Sequence, residues 1–135
     1  MILEQAVRSS HDSQRILEAS TQGQVALQRL AREIREVRSA TTADLNISSN
    51  SQITFTDMCG ETITYLQSGS NLRRNSQTVA DGLKTNSLNF TYYDKDLQTT
   101  STVEDVRCVL IKATIEKSDI DIPFETIACP RNFSL

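Results

Sequence analysis

The chain changes character at Thr41-Thr42, and that break constrains its fold more than any motif does. The residues before it hold no Pro, no aromatic side chain and a single glycine, Gly23. Projected at roughly 100° per residue, Ile16, Ser20, Gly23, Leu27, Leu30, Ala31, Ile34 and Val37 share one face. Gln24, Gln28, Arg29, Arg32 and Glu36 fall largely elsewhere, as an amphipathic helix requires. Ile2, Leu3, Ala6 and Val7 continue the pattern upstream, but Arg8 to Arg15 is polar on every side. The periodicity predicts one long helix over about residues 3–40, its C-terminal half buried and its N-terminal half projecting.

Beyond Thr42 the period becomes two. Ile53, Phe55, Ile63 and Tyr65 alternate with threonines on either side of Asp57-Met58-Cys59-Gly60, which reads as a hairpin. Asn71 to Arg74 reads as a short strand, residues 75–87 as loop, and Leu88 to Tyr93 as a further strand. Val106 to Ile115 is the most apolar segment and is expected at the centre of the sheet. Lys117 to Asp121 turns the chain into a last strand, Pro123 to Cys129. The predicted fold is α+β: one domain over residues 1–135, with a long N-terminal helix (1–40) packed on an antiparallel β-sheet of four to six strands (41–135). Its helix–sheet core is expected to contain Leu27, Leu30, Ile34, Val37, Phe55, Ile63, Phe90, Val109 and Ile111.

Composition excludes several classes of function. The formal net charge is -3, so no basic surplus exists to follow a phosphate backbone, and no nucleic acid is expected as partner. The longest uninterrupted apolar run, Cys108 to Ile111, is far short of the ~20 residues of a membrane span. With one histidine, His11, in the polar stretch Ser9 to Ser13, His-rich zinc sites and His-dependent nucleophilic catalysis lack their parts. Asp57, Glu61, Glu104 and Asp105 are the carboxylates from which a catalytic pair could be drawn, but nothing in their spacing gathers two into one cleft. No catalytic residue, metal site, cofactor or small-molecule substrate is therefore expected, and the chain reads as a non-enzyme.

The short acidic runs Asp94-Lys95-Asp96 and Asp119-Ile120-Asp121 each supply too few oxygens for calcium and read as solvated turns. Asn46-Ile47-Ser48, Asn89-Phe90-Thr91 and Asn132-Phe133-Ser134 match the glycosylation triplet, as a Ser/Thr-rich chain does by chance. Arg73-Arg74 reads as a solvated strand end, and Arg29/Glu33 with Arg32/Glu36 as stabilising i,i+4 pairs.

The three cysteines, Cys59, Cys108 and Cys129, form no Cys-x-x-Cys pair. If the last two strands make a hairpin that places residue 115 opposite 122, the index sum is 237, and 108 plus 129 is also 237. Cross-strand neighbours at such sites approach disulfide range. Cys108 and Cys129 are the candidate disulfide; pairings through Cys59, or three free thiols, are the alternatives.

Leu27 to Ala40, Ile53 to Asp57, Gly60 to Tyr65, Gly69 to Arg74, Val79 to Leu83, Leu88 to Asp94, Val106 to Val109 and the ending Pro130-Arg131-Asn132 together resemble the type IV pilin-like family. The pattern is similar to the minor pilins and pseudopilins of the PilW-like, MshO-like and GspJ-like group, across essentially the whole chain. The resemblance implies a structural subunit of a type IV pilus or type II secretion-type filament, assembling through its N-terminal helix with other pilin or pseudopilin subunits. It further implies an inner-membrane anchor through an apolar helix absent from these residues, which would make this chain the soluble periplasmic or extracellular part. A surface-displayed adhesin or ligand-binding module on the same anchor is the alternative, though the Tyr and Phe residues offer little for a binding platform. Without the anchor, the domain is expected to be monomeric or weakly dimeric.

Overall fold

The computed structural model describes residues 21–133. Within them a helix, α1, occupies residues 21–34. Eight strands follow: β1 (Leu45–Asn46), β2 (Gln52–Thr56), β3 (Thr62–Ser68), β4 (Asn71–Arg74), β5 (Gln77–Ala80), β6 (Asn89–Tyr93), β7 (Cys108–Lys117) and β8 (Ile120–Ala128). They form two antiparallel meanders, a five-stranded sheet β1-β2-β3-β4-β5 and a three-stranded sheet β6-β7-β8.

This architecture overturns the expected long helix on one sheet: the described residues are mostly antiparallel strand, in two sheets, with one short helix. The sheets separate because residues 81–88 carry the chain from one to the other. Gly82 and Asn86 adopt positive φ, Leu83 forms a lone bridge to Ile115, and Leu83 and Leu88 are buried along the way. Alternating apolar residues fix which side of a strand faces inward but not which strands share a ladder. Both meanders turn their apolar sides to one core, and so read as a single sheet in sequence.

The helix is also shorter at its C-terminal end than the expected limit of residue 40. After a turn at residues 35–36, Val37 forms a bridge with Asp57. The Arg38 N–H donates to Thr56 O at 2.9 Å, and the Met58 N–H donates to Glu36 O at 3.1 Å. Val37 stays in phase with the apolar stripe whichever backbone it adopts, which is why periodicity extended the helix through it. The expected helix over residues 3–20, its projecting half included, lies outside the described residues.

Two further boundaries differ. β5 occupies part of the expected loop 75–87: Asn75 and Ser76 both take positive φ and close a tight turn between Arg74 and Gln77. Two left-handed residues in a row define the hairpin turn that matches strand twist, and Ser in the place usually taken by Gly conceals it. β8 begins at Ile120, across the two-residue turn Ser118-Asp119, so Pro123 lies inside the strand opposite Thr114. β8 is an edge strand, where a residue without an N–H is tolerated. β7 is central to its own sheet.

All nine expected core residues are at most 1% exposed. α1 packs on both sheets: a Cβ built on Gly23 would stand 2.7 Å from Ile115 Cδ1 of β7, while Glu33 bonds to β3 and β4. Gly23 thus allows the helix backbone to approach β7 closely, a use of glycine that offsets its cost in a helix interior. Tyr92 carries one of three buried side-chain polar atoms with no hydrogen-bond partner among the described residues, its hydroxyl, beside Arg73 Nε and Arg107 Nε. Burial alone pushes the Tyr92 pKa up. Replacing Tyr92 by Phe removes that orphan and is expected to stabilise the domain by about 1 kcal/mol. An unchanged or lower urea midpoint would count against the orphan assignment.

Candidate functional site

The most heavily constructed region surrounds the C-terminal end of α1. The carbonyls of Ala31, Glu33 and Ile34 accept from the turn that follows α1, and the carbonyls of that turn, residues 35–36, take donors from neighbouring segments. The Arg131 N–H donates to Arg35 O at 3.0 Å, and the Met58 N–H takes Glu36 O. Arg131 also approaches Glu36 at 3.5 Å, and Phe133 is buried just beyond.

One turn earlier, Glu33 ties the helix to the first sheet. Arg74 Nη2 donates to Glu33 Oε2 at 2.7 Å and Arg74 Nε to Oε1 at 3.0 Å, while Tyr65 Oη donates to Oε1. Arg29 Nε lies 3.2 Å from the same carboxylate. Burial raises the Glu33 pKa, but the hydrogen bonds from Arg74 and Tyr65 outweigh it and leave the carboxyl below its ordinary value. Burial and the Glu33 bond hold the Tyr65 phenol protonated, and the Glu33 bond holds Arg74 charged. A third anchor lies after the helix, where Arg38 and Ser39 donate to the buried Asp44 and lower its pKa.

Arg74 corrects the expectation of a solvated strand end. Its side chain is only 15% exposed and faces inward, whereas Arg73 points the other way and donates to Ser76 O. The signal was present: Leu72 and Arg74 are two apart on one strand, so the face that buries Leu72 also receives Arg74. Of the two helix pairs, Arg29/Glu33 forms at 3.2 Å, while Glu36 meets Arg131.

Cys108 and Cys129 are joined by a disulfide, one register step beyond the Val109–Ala128 pair, and every pair of the β7–β8 ladder sums to 237. Their Cα atoms lie 4.2 Å apart, close to the ~4.5 Å of a non-hydrogen-bonded cross-strand pair. Cys59 is a free, exposed thiol in the β2–β3 turn. The bridge fixes the point where the chain leaves β8 and crosses to the turn that follows α1. Closing a loop of 21 residues, it is expected to contribute about 2–3 kcal/mol. The Cys108→Ser/Cys129→Ser variant should melt roughly 10 °C lower, and an unchanged melting temperature would show that the ladder and the Phe133 contact already fix the tail.

Of the remaining candidates, Asp94, Lys95, Asp96 and Asp105 come together with Arg107 around a hollow of about 290 Å³, and the others lie apart. Asp94 Oδ1 accepts the N–H groups of Asp96 and Gln98, closing its own turn, and Asp121 pairs with Lys84 at 2.8 Å. Asp57 and Glu61 share the β2–β3 turn, while Glu104 and Asp105 sit on the 3-10 turn Val103–Asp105 before β7. Among the described residues no three His, Cys, Asp or Glu side chains group to hold a metal, and no helix is long and apolar enough to cross a membrane. Asn46 Oδ1 accepts from both N–H and Oγ of Ser48, and Thr91 donates to Asn89. His11, and Ser134 of the third triplet, lie outside the described residues.

Two further surface hollows stand out. One of about 480 Å³ runs past Leu45, Asn46, Ile47, Ser48, Ser101 and Val103. Another, of about 280 Å³, opens on the outer face of β6-β7-β8 between Tyr93, Leu97, Cys108, Leu110, Glu125 and Ile127. Comparison of the sequence with protein-family models and with curated proteins returned no match.

Proposed function

We propose that this chain is a non-enzymatic structural subunit, a minor pilin or pseudopilin, of a type IV pilus or type II secretion-type filament. Its partners in this reading are other pilin or pseudopilin subunits, and it is held at the inner membrane by an apolar helix outside residues 1–135. One observation carries the reading beyond the sequence resemblance: the way α1 is fixed to the body of the domain. Its inward face is buried against both sheets, Glu33 is clasped by Arg74 and Tyr65, and the turn that ends it, residues 35–36, is held by Met58 and Arg131. A subunit incorporated through its N-terminal helix must pass load from that helix to its β-sheets, and a helix fastened at several independent points is suited to do so.

Antibodies raised against residues 21–133 test the proposal on cells that make the full-length protein. Immunogold label on sheared filaments or at their bases, lost when the gene is deleted, is the expected result. Label spread evenly over the cell surface and absent from the sheared fraction would overturn it.

A further inference from the structure

The two sheets present four edges, and the chain blunts three of them. β1 is two residues long, and β5 is four residues joined through a register shift between Leu72 and Arg73. β6 is met from outside: Asn50 O accepts the Phe90 N–H at 2.7 Å, and the Thr100 N–H donates to Tyr92 O at 2.9 Å. β8 differs. It runs nine residues with an unbroken register, and among the described residues no backbone group bonds to its outer side. A two-residue turn closes on a hydrogen-bonded pair, here Lys117 and Ile120, so residues 120, 122, 124, 126 and 128 bond to β7. The intervening pairs agree. Thr114 O, opposite Pro123, accepts from Lys84 on the far side of β7, and the Glu116 N–H, opposite Asp121, donates to Gly82 O. The outer side of β8 therefore carries the N–H groups of Asp121, Glu125 and Ile127, and the carbonyls of these residues and Pro123. On the inner face Ile122, Phe124 and Thr126 are only half-buried, which leaves the core partly uncovered along this edge.

We propose that β8 pairs antiparallel with β8 of a second copy about a two-fold axis at Phe124, joining two three-stranded sheets into one of six strands. Centred there, all nine residues overlap: Ile120 faces Ala128 of the second copy, Asp121 faces Ile127, Ile122 faces Thr126 and Pro123 faces Glu125. Six hydrogen bonds form, four between Asp121 and Ile127 and two from the Glu125 N–H groups to Pro123 O. Every outward N–H is used, and only Glu125 O, facing the proline, goes without. No acid opposes an acid, whereas an axis at Glu125 would set its carboxylate against itself, a destabilising pair. An axis at Thr126 would leave Asp121 unpaired. Inner-face side chains stay on one side of the joined sheet, so the two uncovered core edges close on each other, Phe124 against Phe124. A foreign strand would bring hydrogen bonds but not that second core edge, and the other edges of this chain are blunted. The occupant is therefore β8 of a second copy. The contact is isologous and closes at two copies. Its nine residues a side, against roughly 20–30 in a standard interface, make it weak. It stands independently of the filament reading.

Changes at outward backbone positions separate the contact from the fold. In the 1–135 chain, Ile127→Pro removes an N–H that the monomer leaves unbonded and that supplies two of the six bonds of the dimer. Sedimentation equilibrium at up to millimolar protein should show dimerisation weakened roughly tenfold or more, with the melting temperature nearly unchanged. Pro123→Val tests the same edge with the opposite sign. It gives Glu125 O of the second copy its missing donor and should tighten the dimer roughly tenfold. The register is read separately in a Cys59→Ser background that keeps the native disulfide. Phe124→Cys should oxidise to a linked dimer and nothing larger, because the two copies of residue 124 face each other within disulfide reach. Thr126→Cys should link far more slowly, since each copy faces Ile122 instead. A chain that stays monomeric at millimolar concentration would overturn the proposal and leave the edge to a strand from another protein. Association indifferent to both Ile127→Pro and Pro123→Val would overturn it too, as would Thr126→Cys linking as fast as Phe124→Cys.

Discussion

Replacing Ile34 by Asp is expected to unfold the domain. Ile34 is the last residue of α1, fully buried in the cluster shared by both sheets. The substitution loses roughly 2–5 kcal/mol of packing and buries a carboxylate with no partner placed for it, at a further cost of several kcal/mol. Against a total stability of about 5–15 kcal/mol, little or nothing remains. Circular dichroism should lose its cooperative thermal transition. Ile34→Val serves as the control, since it removes one methyl group and should cost only about 1 kcal/mol. A cooperative melt of the Asp variant at the original temperature would show that the buried face of α1 has been misassigned.

The burial of the expected core residues and the failure of the fold class share a cause. Leu27, Leu30 and Ile34 repeat at helical spacing, and Phe55, Ile63, Phe90, Val109 and Ile111 alternate with polar neighbours. Both patterns report which side of an element faces inward, and burial follows from that alone. Whether β5 pairs with β6 depends instead on the path of residues 81–88, where one bridge from Leu83 to Ile115 commits the chain to a second sheet. No local period encodes that step. The β7–β8 register was legible because Ser118-Asp119 makes a two-residue turn and no bulge interrupts the ladder, so one opposed pair sets all the others. The disulfide lies on the same register. The Asn75-Ser76 turn hid β5 because neither residue is glycine, although both adopt its backbone region. Arg29 and Glu33 could be paired by spacing along one helix, but Arg74, the stronger partner of Glu33, arrives from a strand 41 residues later. The polar anchors that seat α1 are thus tertiary features.

Breaking the strongest of those anchors should destabilise the domain in a pH-dependent way. Arg74 and Glu33 side chains are 15% and 17% exposed, so Arg74→Met strands a largely buried carboxylate beside the Tyr65 hydroxyl, at an expected cost of about 3–4 kcal/mol near pH 7. The pH dependence follows from Glu33. Its pKa is lowered in the folded chain, so its bonds contribute in full above the unfolded value of roughly 4.3, and the contribution fades as pH falls through the lower folded value. In the variant, burial is no longer outweighed by Arg74, the Glu33 pKa rises, and the loss of stability below about pH 4.3 should shrink or reverse. The two chains should therefore converge in urea midpoint as pH is lowered from 7 toward 3. Adding Glu33→Gln to the variant removes the stranded charge and still leaves an oxygen to accept from Tyr65, so it should restore more than half of the loss at pH 7. Parallel pH profiles, or a double variant no more stable than Arg74→Met alone, would mean that Arg74 holds the sheet through the packing of its stem and that Glu33 is not what fastens α1.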